Sequence, residues 1–448
     1  MDDILAARSQ MAMSLAFHII FAAIGIAMPL LMVIAEWRWL RTKDKVYLTL
    51  AKRWARGTAI MFAVGAVSGT VLSFELGLLF PAFMEHAGPI IGMPFSLEGF
   101  AFFTEAIFLG IYLYGWRKVP PPAHLFAGGM VAVSGALSGI FVVIANAWMN
   151  APTGFRLVDG KITDIDPLAA MMNPAAFSQT LHMTLAAYAA TGFVVAGIHA
   201  WMLRRGGENK ETNRFHRLAL GIALTVGGAA SVLQPLSGDI LAKAVAKNQP
   251  VKLAAMEGQF ETEKAAPLRI GGIPDEAAKV ARYAIELPYG LSFLAYGDPN
   301  AEVKGLNDFP ADAHPPVAIV HFSFQIMVGC GTLMMAVSLW ALWRWFRTRK
   351  TGRVWFDSKW FLRALVISAP LGFAAIETGW VVTEVGRQPW VIYNVMRTAD
   401  AVTPMPGLIV PFVTFTILYI FLAIITAWLL WKQVADSPRE IVEAEDDA

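Results

Sequence analysis

The sequence predicts an all-α membrane protein, a bundle of nine transmembrane helices with one long outer loop between the sixth and the seventh. Three observations carry this reading. The 448 residues are 56% hydrophobic and only 16% charged, with a mean hydropathy of +0.52; a soluble globular chain carries about 25% charged residues. Nine runs are long and apolar enough to cross a hydrocarbon core, which takes about 20 residues. The short polar segments between those runs are sharply unequal in Lys and Arg.

The spans fall at 14–37, 56–80, 96–116, 124–149, 178–203, 216–236, 317–345, 359–383 and 407–431. The first follows "MDDILAARSQ", which opens acidic and lacks the basic n-region of a signal peptide, so it is expected to be retained as a helix. The loop 81–95, "PAFMEHAGPIIGMPF", separates the second and third and contains neither Lys nor Arg. The sixth, "HRLALGIALTVGGAASVLQPL", is the weakest because it is rich in Gly and Ala. Small residues let helices approach closely, which fits a span buried within the bundle. No internal repeat is visible, and there is no long basic tract or nucleic-acid motif, so no nucleic-acid partner is expected.

Orientation follows from the basic residues. Segment 38–56 holds Arg38, Arg41, Lys43, Lys45, Lys52, Arg53 and Arg56; 204–217 adds Arg204, Arg205, Lys210, Arg214 and Arg217; Arg344, Arg347, Arg349, Lys350, Arg353 and Lys359 crowd the turn after the seventh span. The positive-inside rule puts these in the cytoplasm, with the N-terminus outside and the C-terminal tail inside. The chain then divides into spans one to six (1–236), an outward segment (237–316), spans seven to nine (317–431) and a cytoplasmic tail (432–448). A structureless connection as long as 237–316 is unusual, which points to a functional or partly folded segment. Its "DEAAKVARYAIE" reads as a short helix after the turn signal Ile273-Pro274-Asp275.

The single cysteine, Cys330, lies in an apolar run and reads as a small core residue. One cysteine excludes an intramolecular disulfide, a Cys-x-x-Cys-His haem attachment and a multi-cysteine metal centre. Any redox group must therefore be held by His, Met or carboxylate. His18 lies near the outer start of the first span, Glu98 and Glu105 share one face of the third, and His182 begins the fifth. Met327 lies about three turns into the seventh, and Glu384 ends the eighth. All fall in the outer half of the membrane, beneath the long loop. A single His on an apolar helix is also what a packed core residue looks like, and one Met among 20 is ordinary. Intramembrane carboxylates are rare and mark function by default. His86, His124, His216 and His314 lie in or beside loops and look ordinary, whereas His199 and His321 are ambiguous. His, Met and Glu at one depth are a haem-type ligand set, but spacing alone leaves haem and a proton-coupled carrier both open.

Several long motifs, "MAMSLAFH", "EGFAFFTEAIFLGIYLYGW", "FSFQIMVG" and "GRQPW" after a span ending in Glu, resemble subunit I of the cytochrome bd quinol oxidases. The resemblance runs through all nine spans and the position of the long loop, the family's Q-loop. It implies that His182 and Met327 are the axial pair of a low-spin haem b. It implies that His18 and Glu384 are axial ligands of two high-spin haems, a haem b and a haem d (or a third haem b), with Glu98 close to the His18 haem. Glu105 matches an acid of proton delivery; Arg387 matches a partner for haem propionates, with Trp380 and Trp390 against the macrocycles. Lys252 and Glu257, in "VKLAAMEG", match quinol-binding residues of the Q-loop. On a polar loop they read as an exposed charge pair whose replacement leaves folding intact.

Two departures stand out. Gln325 sits two residues before Met327, where some members carry Arg, and the outer loop lacks a large insertion, as in the short-loop, cyanide-insensitive branch. The implied function is the haem-bearing subunit of a terminal oxidase in the bacterial cytoplasmic (inner) membrane. It would oxidise membrane quinol, reduce O2 to water and build a proton gradient with Glu98 and Glu105 as relay. The implied partners are a subunit II and a small single-helix subunit. The alternatives are a haem electron carrier without oxygen chemistry and a proton-coupled secondary transporter with acids at Glu98 and Glu105. The absence of a histidine cluster argues against a haem–copper oxidase.

Overall fold

The computed structural model describes residues 2–205, 210–350 and 355–435. Among these, nine helices are long and apolar enough to cross a membrane. The chain begins with α1 (Asp3–Thr42), α2 (Lys45–Leu79), α3 (Pro81–Tyr114) and α4 (Pro121–Asn150). A small outer excursion follows, with β1 (Arg156–Val158), β2 (Lys161–Thr163) and α5 (Pro167–Met171), and then α6 (Ala176–Arg205) and α7 (Lys210–Asn248). Near the other end come α10 (Val317–Thr348), α11 (Lys359–Ser368), α12 (Leu371–Val385) and α14 (Ile409–Ala435). The tail beyond 435, expected to be cytoplasmic, lies outside the described residues.

Between α7 and α10 the segment expected to face outward (the outer segment) is folded. It opens with α8 (Pro250–Glu257), then β3 (Glu263–Lys264), β4 (Leu268–Ile270), β5 (Ile273–Asp275), β6 (Val280–Arg282) and β7 (Ile285–Leu287). It ends with α9 (Gly290–Tyr296), β8 (Glu302–Val303) and two short 3-10 turns. Its strands pair β3 with β8, β4 with β7 and β5 with β6, all antiparallel. The helix expected in "DEAAKVARYAIE" is absent. Asp275 instead closes a hairpin turn by accepting from the amides of Ala277 and Ala278 at 3.1 and 2.9 Å, with Lys279 at φ +56°. The local Asx turn outcompetes a helix too short to nucleate alone.

Other boundaries differ from the sequence reading. α7 runs on to Asn248, so 237–248 are helix and not loop. Residues 81–95 are no loop: α3 starts at Pro81, immediately after the turn at Phe80. Proline at the first helical position gives up no hydrogen bond. Pro89 and Pro94 are tolerated because Phe83, Ala87, Ile90 and Ile91 are buried in an outer core with Trp148 and Ile392. The eighth span is broken into α11 and α12 at Ala369-Pro370, where Pro370 interrupts the helical amide ladder.

α1 lies against α2, α4, α6 and α14, and its Met28, Leu31, Met32 and Ala35 form the inner core with α6 and α7. A Cβ added to Gly192 would lie 2.4 Å from the Gly227 Cα, so α6 and α7 touch backbone to backbone. The Gly/Ala-rich sixth span is thus a close-packed interior helix. After α12 the chain returns through β9 (Trp390–Ile392), β10 (Met396–Arg397) and α13 (Thr398–Ala401), which cap the end of the bundle where α1 starts.

Candidate functional site

Each of the two histidines is met by a serine on the helix beside it. His18 Nδ1 lies 3.0 Å from Ser68 Oγ on α2, and His182 Nδ1 lies 3.0 Å from Ser237 Oγ on α7. Met327, on α10, points at α12: a Cβ on Gly379 would lie 3.0 Å from its sulfur. Trp380, one residue on, packs against a buried cluster built from Ile19, Ala23 and Ile26 of α1, Ala187 and Ala190 of α6 and Ile376 of α12.

Glu384 and Arg387 sit where α12 ends. The Glu384 carboxylate accepts from Arg387 Nη2 at 2.6 Å through one oxygen and from Asn146 Nδ2 of α4 through the other. Arg387 is 2% exposed, yet its Nε and Nη1 have no partner. A buried guanidinium with two unpartnered nitrogens calls for an anion, and a haem propionate meets that need. Histidines with Nδ1 engaged, a thioether sulfur and this orphaned guanidinium together fit haem. Trp390 is less available than expected, since the Arg397 guanidinium lies over its ring at 5.2 Å.

On the third span, Glu98 Oε1 accepts from Ser138 Oγ of α4 at 3.2 Å. Glu105, seven residues on and buried, faces Gly135 of α4, where a Cβ would stand 3.2 Å from the carboxyl carbon. The two acids therefore share the α3–α4 interface.

Lys252 and Glu257 are not the exposed pair expected of a loop; each is 3% exposed. The loop helix α8 is pressed into the bundle, and Lys252 Nζ donates to Asn150 Oδ1 at 2.6 Å and to the Thr383 carbonyl at 3.1 Å. Gly386 of "GRQPW" lets it pass, as a Cβ there would lie 3.0 Å from Lys252 Cγ. Asn150 in turn donates to Asn146 Oδ1 at 3.0 Å, so a hydrogen-bonded chain runs from Lys252 to Glu384. Burial, then the charge of Arg387, holds Lys252 well below the usual ammonium range, with Glu384 acting the other way. Burial pushes the Glu257 carboxyl up to about 8, with Arg269 opposing.

Sequence reasoning missed several groups. Glu377 lies seven residues before Glu384 on α12 and has a buried oxygen without a partner. The criterion that found Glu384, an acid inside an apolar run, also applies to it. Glu36 and His124, the latter read as an ordinary loop residue, form a buried pair at 2.8 Å. His216, also read as ordinary, is buried with its Nδ1 2.9 Å from that of His199. His321 and Gln325 prove to be anchors for the outer segment. His321 Nδ1 bonds the Met256 carbonyl at 2.8 Å, and Gln325 accepts from Gly271 N at 3.0 Å and donates to the Arg269 carbonyl at 3.1 Å. Gln325 thus ties the outer segment to α10 two residues before Met327.

The sequence profile described as cytochrome bd terminal oxidase subunit I matches residues 6–438. This chain belongs to that family. A Bacillus subtilis relative, provisionally named a cytochrome bd menaquinol oxidase subunit I, is 39% identical over 430 residues, 96% of each chain. A second B. subtilis relative, cytochrome bd ubiquinol oxidase subunit 1, is 31% identical over 97% of this chain and 94% of its own. The bd oxidase structure from Geobacillus thermodenitrificans superposes with a TM-score of 0.89 at 41% identity, covering 96% of this chain and 98% of that one. As a subunit I of this family the chain is the haem-bearing catalytic subunit of a terminal oxidase and a multi-pass bacterial membrane protein. The transporter and the simple electron carrier are set aside on that ground.

Proposed function

We propose that this subunit I oxidises a membrane quinol at the folded outer segment and passes the electrons inward to reduce O2 to water. The observation that carries the reading is the chain Lys252–Asn150–Asn146–Glu384, which joins the outer-segment helix α8 to the acid at the mouth of α12. Lys252 and Glu257 would face the quinol oxygens, where burial weakens the ammonium's hold on its proton and strengthens the carboxyl's, so the pair can exchange protons with quinol.

His182 and Met327 would hold a low-spin haem b, His18 and Glu384 two high-spin haems, b and d or b and b, with Arg387 against their propionates. Bound haem supplies one-electron transfer and, where one axial position stays open, oxygen binding. Held by both His182 and Met327, that haem would serve electron transfer and not oxygen binding. Glu98 and Glu105, on one face of α3, would hold protons arriving from the cytoplasmic side, so that turnover builds a gradient without a pump. The N-terminus and the outer segment then face outward and the C-terminus inward. Largely exposed apolar helices such as α14 would meet lipid, a subunit II and a small single-helix subunit.

The test is oxygen uptake by the purified complex with quinol, measured beside its haem content. Quinol-dependent uptake is expected, and full haem content with no uptake on any quinol would leave only electron carriage.

A further inference from the structure

The two histidines are cradled by the same dipeptide. Ser68–Gly69 on α2 faces His18, and Ser237–Gly238 on α7 faces His182. In each case the serine oxygen is 3.0 Å from Nδ1. In each case the following glycine opens space for the ring: a Cβ would lie 3.0 Å from His18 Cε1 at Gly69 and 3.5 Å from His182 Cε1 at Gly238. Both serines are buried, at 0% and 2% exposure.

Each hydroxyl has one hydrogen, and it is already committed. Ser68 Oγ donates to the Val64 carbonyl at 2.9 Å, and Ser237 Oγ donates to the Gln234 carbonyl at 2.8 Å. What each oxygen turns toward the imidazole is therefore a lone pair, so Nδ1 must be the donor. A neutral imidazole protonated at Nδ1 has its free lone pair on Nε2, the nitrogen left to bind a metal. At His182 the Gln234 amide nitrogen, which donates to the His182 carbonyl at 3.1 Å, stands 3.3 Å from Nδ1 and 3.2 Å from Nε2 and so favours neither tautomer; the serine contact carries the assignment.

We propose that Ser68–Gly69 and Ser237–Gly238 are matched positioning pairs that hold His18 and His182 as Nδ1–H tautomers and present Nε2 to the irons of two different haems. The proposal rests on the reading of these histidines as haem ligands. An Nδ1–H···O bond gives the imidazole imidazolate character, which favours ferric iron, so losing the bond should raise the reduction potential of that haem.

The experiment uses the assembled complex purified from membranes. Ser237→Ala should raise the potential of the low-spin haem alone and weaken its retention roughly 10- to 100-fold, and Ser237→Thr should restore both. Ser68→Ala should do the same to one high-spin haem and lower its ferrous iron–histidine Raman stretch. Gly69→Ala, whose Cβ would press the ring, should shift that stretch more than Gly238→Ala shifts the low-spin band. Parental potentials and spectra in both alanine variants would overturn the proposal, provided His182→Ala removes the low-spin haem. If His182→Ala keeps that haem, the ligand reading fails instead. Should the alanine variants not assemble, the native complex decides. Nitrogen and proton hyperfine spectra of the oxidised low-spin haem must show an exchangeable, hydrogen-bonded Nδ1 proton, and its absence refutes the clamp.

Discussion

Lys252 and Asn150 meet at 2.6 Å, Nζ to Oδ1, which fastens the outer-segment helix to the outer end of the fourth span. The lysine is buried and also caps the Thr383 carbonyl, one residue before Glu384. The outer segment and the α12 mouth are therefore one structure. Lys252→Ala removes the donor from the buried Asn150 Oδ1 and the part-buried Thr383 carbonyl, a loss of about 1–3 kcal/mol. Reduced quinol oxidation, a lower melting temperature and an altered high-spin haem spectrum are expected together. Quinol assays, thermal melts and spectra on one preparation check it, and a variant with parental stability and spectra would restore the picture of a free loop residue.

Glu257 is the residue whose protonation should shape the pH profile. Burial holds its carboxyl protonated up to about 8 from an ordinary 4.5. A raised acid stabilises the native state fully below the ordinary value, and that stability is lost as pH rises through the native one. Melting temperature should therefore fall across that window in the native complex and fall less in Glu257→Gln, which mimics the protonated form. The quinol oxidation rate should also lose any step near pH 8 in the variant. Identical pH profiles for both proteins, by both measures, would remove Glu257 from the site.

Arg387 pairs with Glu384 at 2.6 Å, with the guanidinium buried and the Glu384 side chain 29% exposed. Removing one partner of a buried pair costs 3–5 kcal/mol, and the partial exposure of Glu384 puts Arg387→Ala at the lower end, about 3 kcal/mol. Arg387→Lys keeps the charge without the fork, so it should assemble with shifted haem potentials. Redox titration of the lysine variant is the decisive measurement, and unchanged potentials would detach Arg387 from the propionates.

The ligand assignments separate spectroscopically. His182→Ala or Met327→Leu should abolish or convert the low-spin haem, because six-coordination needs both ligands. His18→Ala and Glu384→Ala should each perturb a high-spin haem instead. Reduced-minus-oxidised spectra of folded variants distinguish the cases.

Topology has its own test. A cysteine placed at the exposed Tyr283, in a Cys330→Ser background, should react with an impermeant thiol reagent in intact cells. Labelling only after lysis would invert the orientation.

By itself the sequence determined the membrane class and the nine spans, because hydrophobic length is a local property that lipid makes costly to violate, and a polar group within such a span singled out His18, His182, Met327, Glu98 and Glu105 as candidates. It also pointed to the family, through motifs that are contiguous in the chain. Tertiary structure alone decided that residues 81–95 are helical, since burial of Phe83 and Ile90 outweighs their prolines. It decided that Lys252 and Glu257 are interior, which no local pattern on a polar segment reveals, because the atoms that cover Lys252 come from 102 and 131 residues away. The Ser-Gly pairs were equally hidden. A serine and a glycine are common neighbours in an apolar helix, and only the packing of α2 on α1 and of α7 on α6 sets them against an imidazole.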